Sequence, residues 1–270
     1  MTRLISMVNQ KGGVGKTTTT ISLGAYLAEM GQRVLLVDLD PQSNATSCLG
    51  VDHRSLTRGT YEALLGNEET KSVILRNQRL NLSLLPATAS LAGAQVELID
   101  IPDREKLLKR ALAPVHSRYD YILIDCPPSL GVLTINGLVA AKDGVLIPVQ
   151  CEYLALEGLS QLMDTLQRVR RGLFSGLSIR GLLMTMYDAR TNLSADVVQE
   201  VRSHFPDQVF ESVIPRSIRL AEAPSHGLPI SVYAPRSAGA EAYLELAKEI
   251  LQADGIPIPE IEQQGDAYGG

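Results

Sequence analysis

The sequence contains no tryptophan, only three phenylalanines and only three cysteines in 270 residues. Aromatic residues make up 4% of the chain, so its core has to be built from aliphatic side chains. Cys48, Cys126 and Cys151 show neither metal-ligand nor disulfide spacing. That pattern points to a reduced, cytoplasmic chain whose cysteines fill core or loop positions. No apolar run approaches the ~20 residues of a membrane span. The N-terminus runs straight into an apolar strand, so no secretory leader is expected. Positive charge is not in excess: 25 Lys and Arg against 30 Asp and Glu give a net charge of −5, which argues against a general polyanion binder. The basic residues are unevenly placed, however. Residues 161–240 hold nine Arg, no Lys and seven acids, which allows a local arginine patch suited to bidentate phosphate contacts.

What is present is the composition of a globular protein: 45% apolar residues and a mean hydropathy of +0.05. Length and the absence of repeats or linkers predict one large domain over residues 1–254, followed by a Pro-, Gly- and acid-rich tail, 255–270, expected to be disordered. The chain is organised around Gln10-Lys11-Gly12-Gly13-Val14-Gly15-Lys16-Thr17-Thr18. An apolar run, Leu4 to Val8, precedes it and reads as a buried strand. Thr19 to Met30 follows it and reads as a helix. Strand, glycine-rich loop, helix is the setting of a phosphate-binding loop. The glycines let successive N–H groups converge on one anion, and the helix start adds partial positive charge. Lys16 is placed to reach the β- and γ-phosphates, and the Thr17 hydroxyl to hold Mg²⁺. The usual pattern has glycine six positions before the lysine. Here that position is Gln10, and a second lysine, Lys11, stands at the start of the loop.

Further along, Arg33 to Asp38 reads as a strand, completing a βαβ unit that demands a parallel sheet. It ends in Asp38-Leu39-Asp40-Pro41-Gln42, with carboxylates at the strand end that faces the ligand crevice. Leu82 to Pro86, Tyr119 to Asp125, Gly144 to Val149 and Ile179 to Thr185 read as further strands. Helices are expected at 103–112 with Asp103 as N-cap, and at 130–141, 156–171, 194–204 and 238–253. Asp125, closing an apolar strand, is placed to meet Mg²⁺ through a water. The arginines closing the 156–171 helix suit its dipole. His53 is expected in a surface loop and His204 at a helix end, and His226, with no base–nucleophile pattern beside it, is expected to be structural.

The form K-G-G-x-G-K-T-T resembles the deviant loop of the ParA/MinD group of P-loop ATPases. D-L-D-P-Q and D-C-P-P-S-L-G resemble that group's two switch regions. With P-V-Q-C-E-Y-x-A-L-E-G-L, D-A-R-T-N and R-L-x-E-A-P-S-H-G, the matches extend over nearly the whole chain and resemble the Soj-type, chromosomal ParA partition ATPases. The resemblance implies ATP and Mg²⁺ sandwiched between two protomers, with Lys11 crossing to the partner's phosphates and Gly12 leaving room for close approach. It makes Asp40 the carboxylate that orients the attacking water, and gives Asp38 a supporting role for Mg²⁺ or the loop. Gly12, Gly13, Val14, Gly15, Lys16, Thr17 and Thr18 would hold the phosphates, and Pro215 and Ser217 the adenine. Ser217 stands where the family has Asn, one hydroxyl in place of an amide that both donates and accepts. Non-specific double-stranded DNA would be bound by the ATP dimer through Arg190 and Arg219. A ParB-type centromere-binding protein would stimulate hydrolysis and release, and the protein would be cytoplasmic and nucleoid-associated.

Three other readings compete. A MinD-like membrane-associated ATPase shares the loop and switches but needs a basic amphipathic C-terminal helix, unlike the Pro/Gly-rich acidic tail. An iron–sulfur reductase related to nitrogenase iron protein needs bridging cysteines, a pattern Cys126 and Cys151 do not match. A structural α/β protein would not hydrolyse nucleotide. The expected fold is a doubly wound α/β domain, with a mostly parallel sheet and helices on both faces.

Overall fold

In the computed structural model, which describes residues 1–259, eight strands form one sheet. They are β1 (Arg3–Met7), β2 (Val34–Asp38), β3 (Leu75–Asn77), β4 (Leu82–Leu85), β5 (Tyr121–Asp125), β6 (Val145–Gln150), β7 (Ile179–Tyr187) and β8 (Val209–Pro215). The order across the sheet is β3-β4-β2-β5-β1-β6-β7-β8. Only the β3–β4 pairing is antiparallel. Every other neighbouring pair is parallel, as the βαβ pattern requires.

The strands alternate between two helical layers, and the alternation explains their nearly continuous apolar sequences. Ile5, Met7, Val34, Leu36, Tyr121 and Leu123 face a layer built mainly from helices Lys16–Glu29 and Ala238–Ala253. Leu4, Leu35, Val37, Ile122 and Ile124 face a second layer that includes helices Leu107–Leu112, Val132–Ala140 and Ala155–Gly172. Helix Lys16–Glu29 lies close on the sheet at Gly24, where an added Cβ would stand 2.6 Å from Leu36 Cδ2.

Pro148, which cannot donate to a ladder, lies within a central strand. β1 pairs only with Val145 and Leu146 of β6, because β1 ends at Met7. The missing N–H falls where β1 has already given way to the loop. There the Asn9 side-chain amide donates to the Pro148 carbonyl at 2.7 Å.

Several local expectations are corrected. The first long helix starts at Lys16, not Thr19. Asp103 caps no helix with its side chain. It has φ +55, precedes a 3₁₀ turn, and pairs with Lys106 and Arg110, so ion pairs take the carboxylate that a cap would have used. The helix itself is shorter, Leu107–Leu112. The 194–204 helix begins at Asn192, with the Thr191 hydroxyl accepting from Ser194 N–H. Strands β3 and β8 and helix Leu91–Glu97 were not anticipated. Residues 260–270 of the expected disordered tail lie outside the described residues.

Candidate phosphate-binding site and arginine patch

The phosphate loop leaves β1 at the sheet's switch point, where β5 lies on one side of β1 and β6 on the other. Gly13 and Gly15 adopt φ +77 and +92, left-handed values that favour glycine. Among the described residues, the N–H groups of Gly12, Gly13, Val14 and Gly15 find no acceptor. Gly15 precedes a 14-residue helix and supplies no side-chain cap, so the first-turn N–H groups are also open to an anion. Gln10, in the place of the usual glycine, donates to Thr165 Oγ1 at 3.4 Å. Thr185 Oγ1 ties the loop to β7 by donating to the Val14 carbonyl at 2.9 Å.

Lys16 is buried, and its ammonium donates to the Lys11 carbonyl at 3.0 Å. Burial lowers its pKa, opposed by the charges of Asp125 and Asp40. The Thr17 hydroxyl donates to Asp125 Oδ2 at 2.7 Å. A hydroxyl committed in this way leaves its lone pairs for a cation, and hydroxyl plus carboxylate is a hard-oxygen donor set suited to Mg²⁺. Asp125 also accepts from Thr20 Oγ1 at 3.3 Å. Burial, then the charge of Asp38, pushes the Asp125 carboxyl up to about 8, against the Thr17 hydrogen bond.

Asp38 and Asp125 are register partners on adjacent strands. Asp38 is fully enclosed and accepts from Thr46 N–H (2.8 Å), Thr46 Oγ1 (2.6 Å) and Asp40 N–H (3.2 Å). These bonds tie Asp38 to the segment that follows β2. Burial raises its pKa to about 6, although the Thr46 bonds act the other way. Asp40, 6% exposed, accepts from Gln42 N–H at 3.0 Å. Ser43, three residues on, is buried with φ +54 and a hydroxyl lacking a partner among the described residues. Strain beside a candidate catalytic carboxylate is where functional loops store it.

Lys11 holds a second feature not anticipated from sequence. Its ammonium pairs with Glu152, just beyond β6. Glu152 follows a strand ending on the same edge as Asp38 and Asp125, and that position was the available signal.

The candidate DNA and base residues lie at the far end of the same edge. Pro215 pairs with Tyr187, and Arg216 N–H donates to the Tyr187 carbonyl at 2.8 Å. Ser217 precedes helix Ile218–Glu222 without capping it. Between this segment and the loop-bearing helix runs a narrow cleft lined by Thr18, Ile21, Ser22, Leu220 and Pro224. Arg190 and Arg219 are exposed, but neither is free. Asp188 clamps Arg190 through Nε and Nη2 at 2.8 and 2.7 Å. The Arg190 guanidinium in turn holds the Asp188 carboxyl well below its usual range. Arg219 donates to Glu222 at 3.0 Å, and the Tyr233 hydroxyl donates to the same carboxylate. His226 stacks on Tyr233 with ring centroids 4.7 Å apart, a structural role. All three thiols are pushed up by burial, so none is poised as a nucleophile.

A family model described as "AAA domain" matches residues 2–179. The Bacillus subtilis "Sporulation initiation inhibitor protein Soj" is 56% identical over 250 residues, covering 93% of this chain and 98% of that protein. The Treponema pallidum "Chromosome-partitioning ATPase Soj" is 54% identical over 255 residues, covering 94% and 99%. Among solved structures, a Mycobacterium smegmatis protein described as cobyrinic acid a,c-diamide synthase, with bound ADP and magnesium, superposes with TM-score 0.82 at 42% identity, covering 96% of this chain and 98% of that one. MinD from Pyrococcus horikoshii, complexed with Mg-ADP, gives TM-score 0.76 at 29% identity, covering 94% and 98%. MinD shares the fold, but the Soj relatives are much nearer in sequence. The chain belongs to the AAA-domain family, within the Soj/ParA group of chromosome-partitioning ATPases.

Proposed function

We propose that residues 1–254 form one ATPase domain that couples slow ATP hydrolysis to reversible DNA binding by a homodimer. The observation that carries this reading is the convergence of Lys16, Thr17, Asp40 and Asp125 at one sheet edge, beneath open loop amides. ATP with Mg²⁺ supplies the electrophilic γ-phosphorus and neutralises its oxygens. The chain's residues supply the rest. Loop amides and the Lys16 ammonium hold the phosphates and stabilise charge as it develops in the transition state. Thr17 would hold the cation directly and Asp125 through a water. The Asp40 carboxylate accepts a hydrogen bond from the attacking water and fixes its approach. Pro215 and Ser217 would hold the base.

Lys11 acts between protomers. It leaves Glu152 to reach the partner's phosphates, while Gly12, whose Cβ position has nothing within 4 Å in the single chain, admits the partner's approach. Dimerisation doubles the phosphate contacts of Arg190 and Arg219, which makes DNA binding depend on ATP and fall steeply with salt. A ParB-type protein stimulates hydrolysis and splits the dimer, so the protein cycles between nucleoid and cytoplasm. No described helix is long and apolar enough to cross a membrane.

Phosphate release under excess ATP–Mg²⁺ and DNA tests the reaction. Wild-type protein should turn over slowly. Asp40→Ala should bind ATP but lose roughly 10²- to 10⁴-fold in rate, the range of a positioned acid–base group. Unchanged turnover in Asp40→Ala would remove Asp40 from the mechanism.

A further inference from the structure

At the opposite edge of the sheet, where the parallel strands begin, a cavity of about 340 Å³ opens between the segment 71–76 and the loop before β5. That volume lies within the range of small-molecule sites. Val34, the first residue of β2, lines it, whereas Asp38, the last, faces the phosphate loop. Four residues of rise, roughly 13 Å, therefore separate this cavity from that edge. Ser83 contributes to this space. It points to the face of β4 opposite Leu82 and Leu84, where Leu35 and Leu85 fill the neighbouring positions, and its small side chain leaves a gap beneath the outer layer.

Four cations, Arg33, Lys71, Arg76 and Arg118, line the cavity. Arg33 is held by Asp120 and Lys71 by Glu69, each at 2.7 Å. Arg76, Arg118, Asn81, Ser83 and Tyr119 also line it, and none of their side chains has a partner among the described residues. Two arginines, an asparagine, a serine and a tyrosine with uncommitted side chains thus border one concave space. Guanidinium groups bind phosphate oxygens in a bidentate manner. Tyr119, Ile74 and Val115 add apolar wall suited to an uncharged ring or body. A concave site of this size on a chain of net charge −5 favours a small molecule over a nucleic-acid duplex, which needs an extended basic surface.

We infer that this cavity is a second anion site, distinct from the phosphate loop, for a nucleotide-sized molecule bearing at least two phosphate groups. The test uses the full chain saturated with ADP–Mg²⁺, so that the loop site is filled. Inorganic tripolyphosphate and adenosine 3′,5′-bisphosphate are titrated in by calorimetry, and a short DNA duplex is tested in parallel. The expected result is one additional site that weakens as salt rises. Binding should fall at least about tenfold in an Arg76→Ala/Arg118→Ala double variant, as the loss of charge-assisted hydrogen bonds implies. Ser83→Leu, which fills the space, should also abolish it. The double variant changes only exposed side chains and guards against misfolding of Ser83→Leu.

No binding of either probe overturns the inference. So does binding that the double variant leaves unchanged, or that Lys16→Ala abolishes, since the phosphates would then sit at the loop. A cavity that takes the duplex and neither small probe also overturns it. ATP-dependent DNA co-sedimentation of the double variant is expected to match wild type, which keeps this test separate from the partition reading.

Discussion

The phosphate-loop region and the arginine segment occupy the same sheet edge and are built on opposite principles. Around the loop, groups are buried and their hydrogen bonds run between elements far apart in sequence: Thr17 to Asp125, Thr46 to Asp38, Thr185 to Val14. Three ionisable groups there have pKa values displaced by burial. Around Arg190 and Arg219 the groups are exposed, and each arginine is neutralised by an acid two or three residues away. The first region is preorganised for a ligand with many contacts. The second offers weak, surface-type pairs that a polyanion can displace at little cost. Chemistry is thus built in, whereas the proposed DNA affinity would be conditional on two protomers adding their contacts.

The largest expected effect is at the preorganised region. Lys16→Ala should lower ATP hydrolysis by roughly a hundredfold or more, as loss of one preorganised charge does, measured as phosphate release. Residual turnover near wild type would mean the loop is not the reaction site.

Asp125→Asn separates stability from function. In the nucleotide-free protein its carboxyl, held near 8, is raised above the unfolded value of about 3.9. Between those values the folded chain binds more protons than the unfolded chain, so wild-type stability declines as pH rises from about 4 to about 8. Asp125→Asn should flatten that decline and melt several degrees higher than wild type at pH 8, while losing Mg²⁺-dependent nucleotide binding. Melting curves without nucleotide, measured across this range, check the sign. A variant less stable than wild type at pH 8 would show that the carboxylate is not strained by burial.

Sequence reasoning reached the preorganised region because its signal is local. A strand, a glycine-rich turn and a helix start define the loop within about ten residues, and an acid closing an apolar strand marks Asp38 and Asp125 wherever their partners lie. What stayed hidden depends on topology. Thr185 meets Val14 across 171 positions, and Glu152 meets Lys11 only because β6 lies beside β1. β8 was missed because its residues are mostly half-buried with an exposed glutamate, so neither an apolar run nor a clean alternation appears. Asp103 failed as a cap because Lys106 and Arg110 compete for its carboxylate.

Smaller effects belong to the conditional region. Arg219→Ala should keep ATPase activity and lose retention on DNA. It should also lower the slope of log K against log salt by about 2 for a dimer, one phosphate per protomer. Unchanged retention would move the DNA surface elsewhere. Asp188→Asn, which removes the charge clamping Arg190, should tighten DNA binding by roughly two- to fivefold at low salt, the scale of an exposed ion pair. Weaker binding would show that Asp188 presents Arg190 to DNA instead of restraining it.

The most direct test of the link between the two regions is DNA co-sedimentation at low salt with ATP, ADP or no nucleotide, for wild type, Lys16→Ala and Asp40→Ala. Only ATP should support wild-type binding, Lys16→Ala should abolish it and Asp40→Ala should prolong it. DNA binding that ignores nucleotide, or that survives unchanged in Lys16→Ala, would contradict the claim that the preorganised site controls the conditional one.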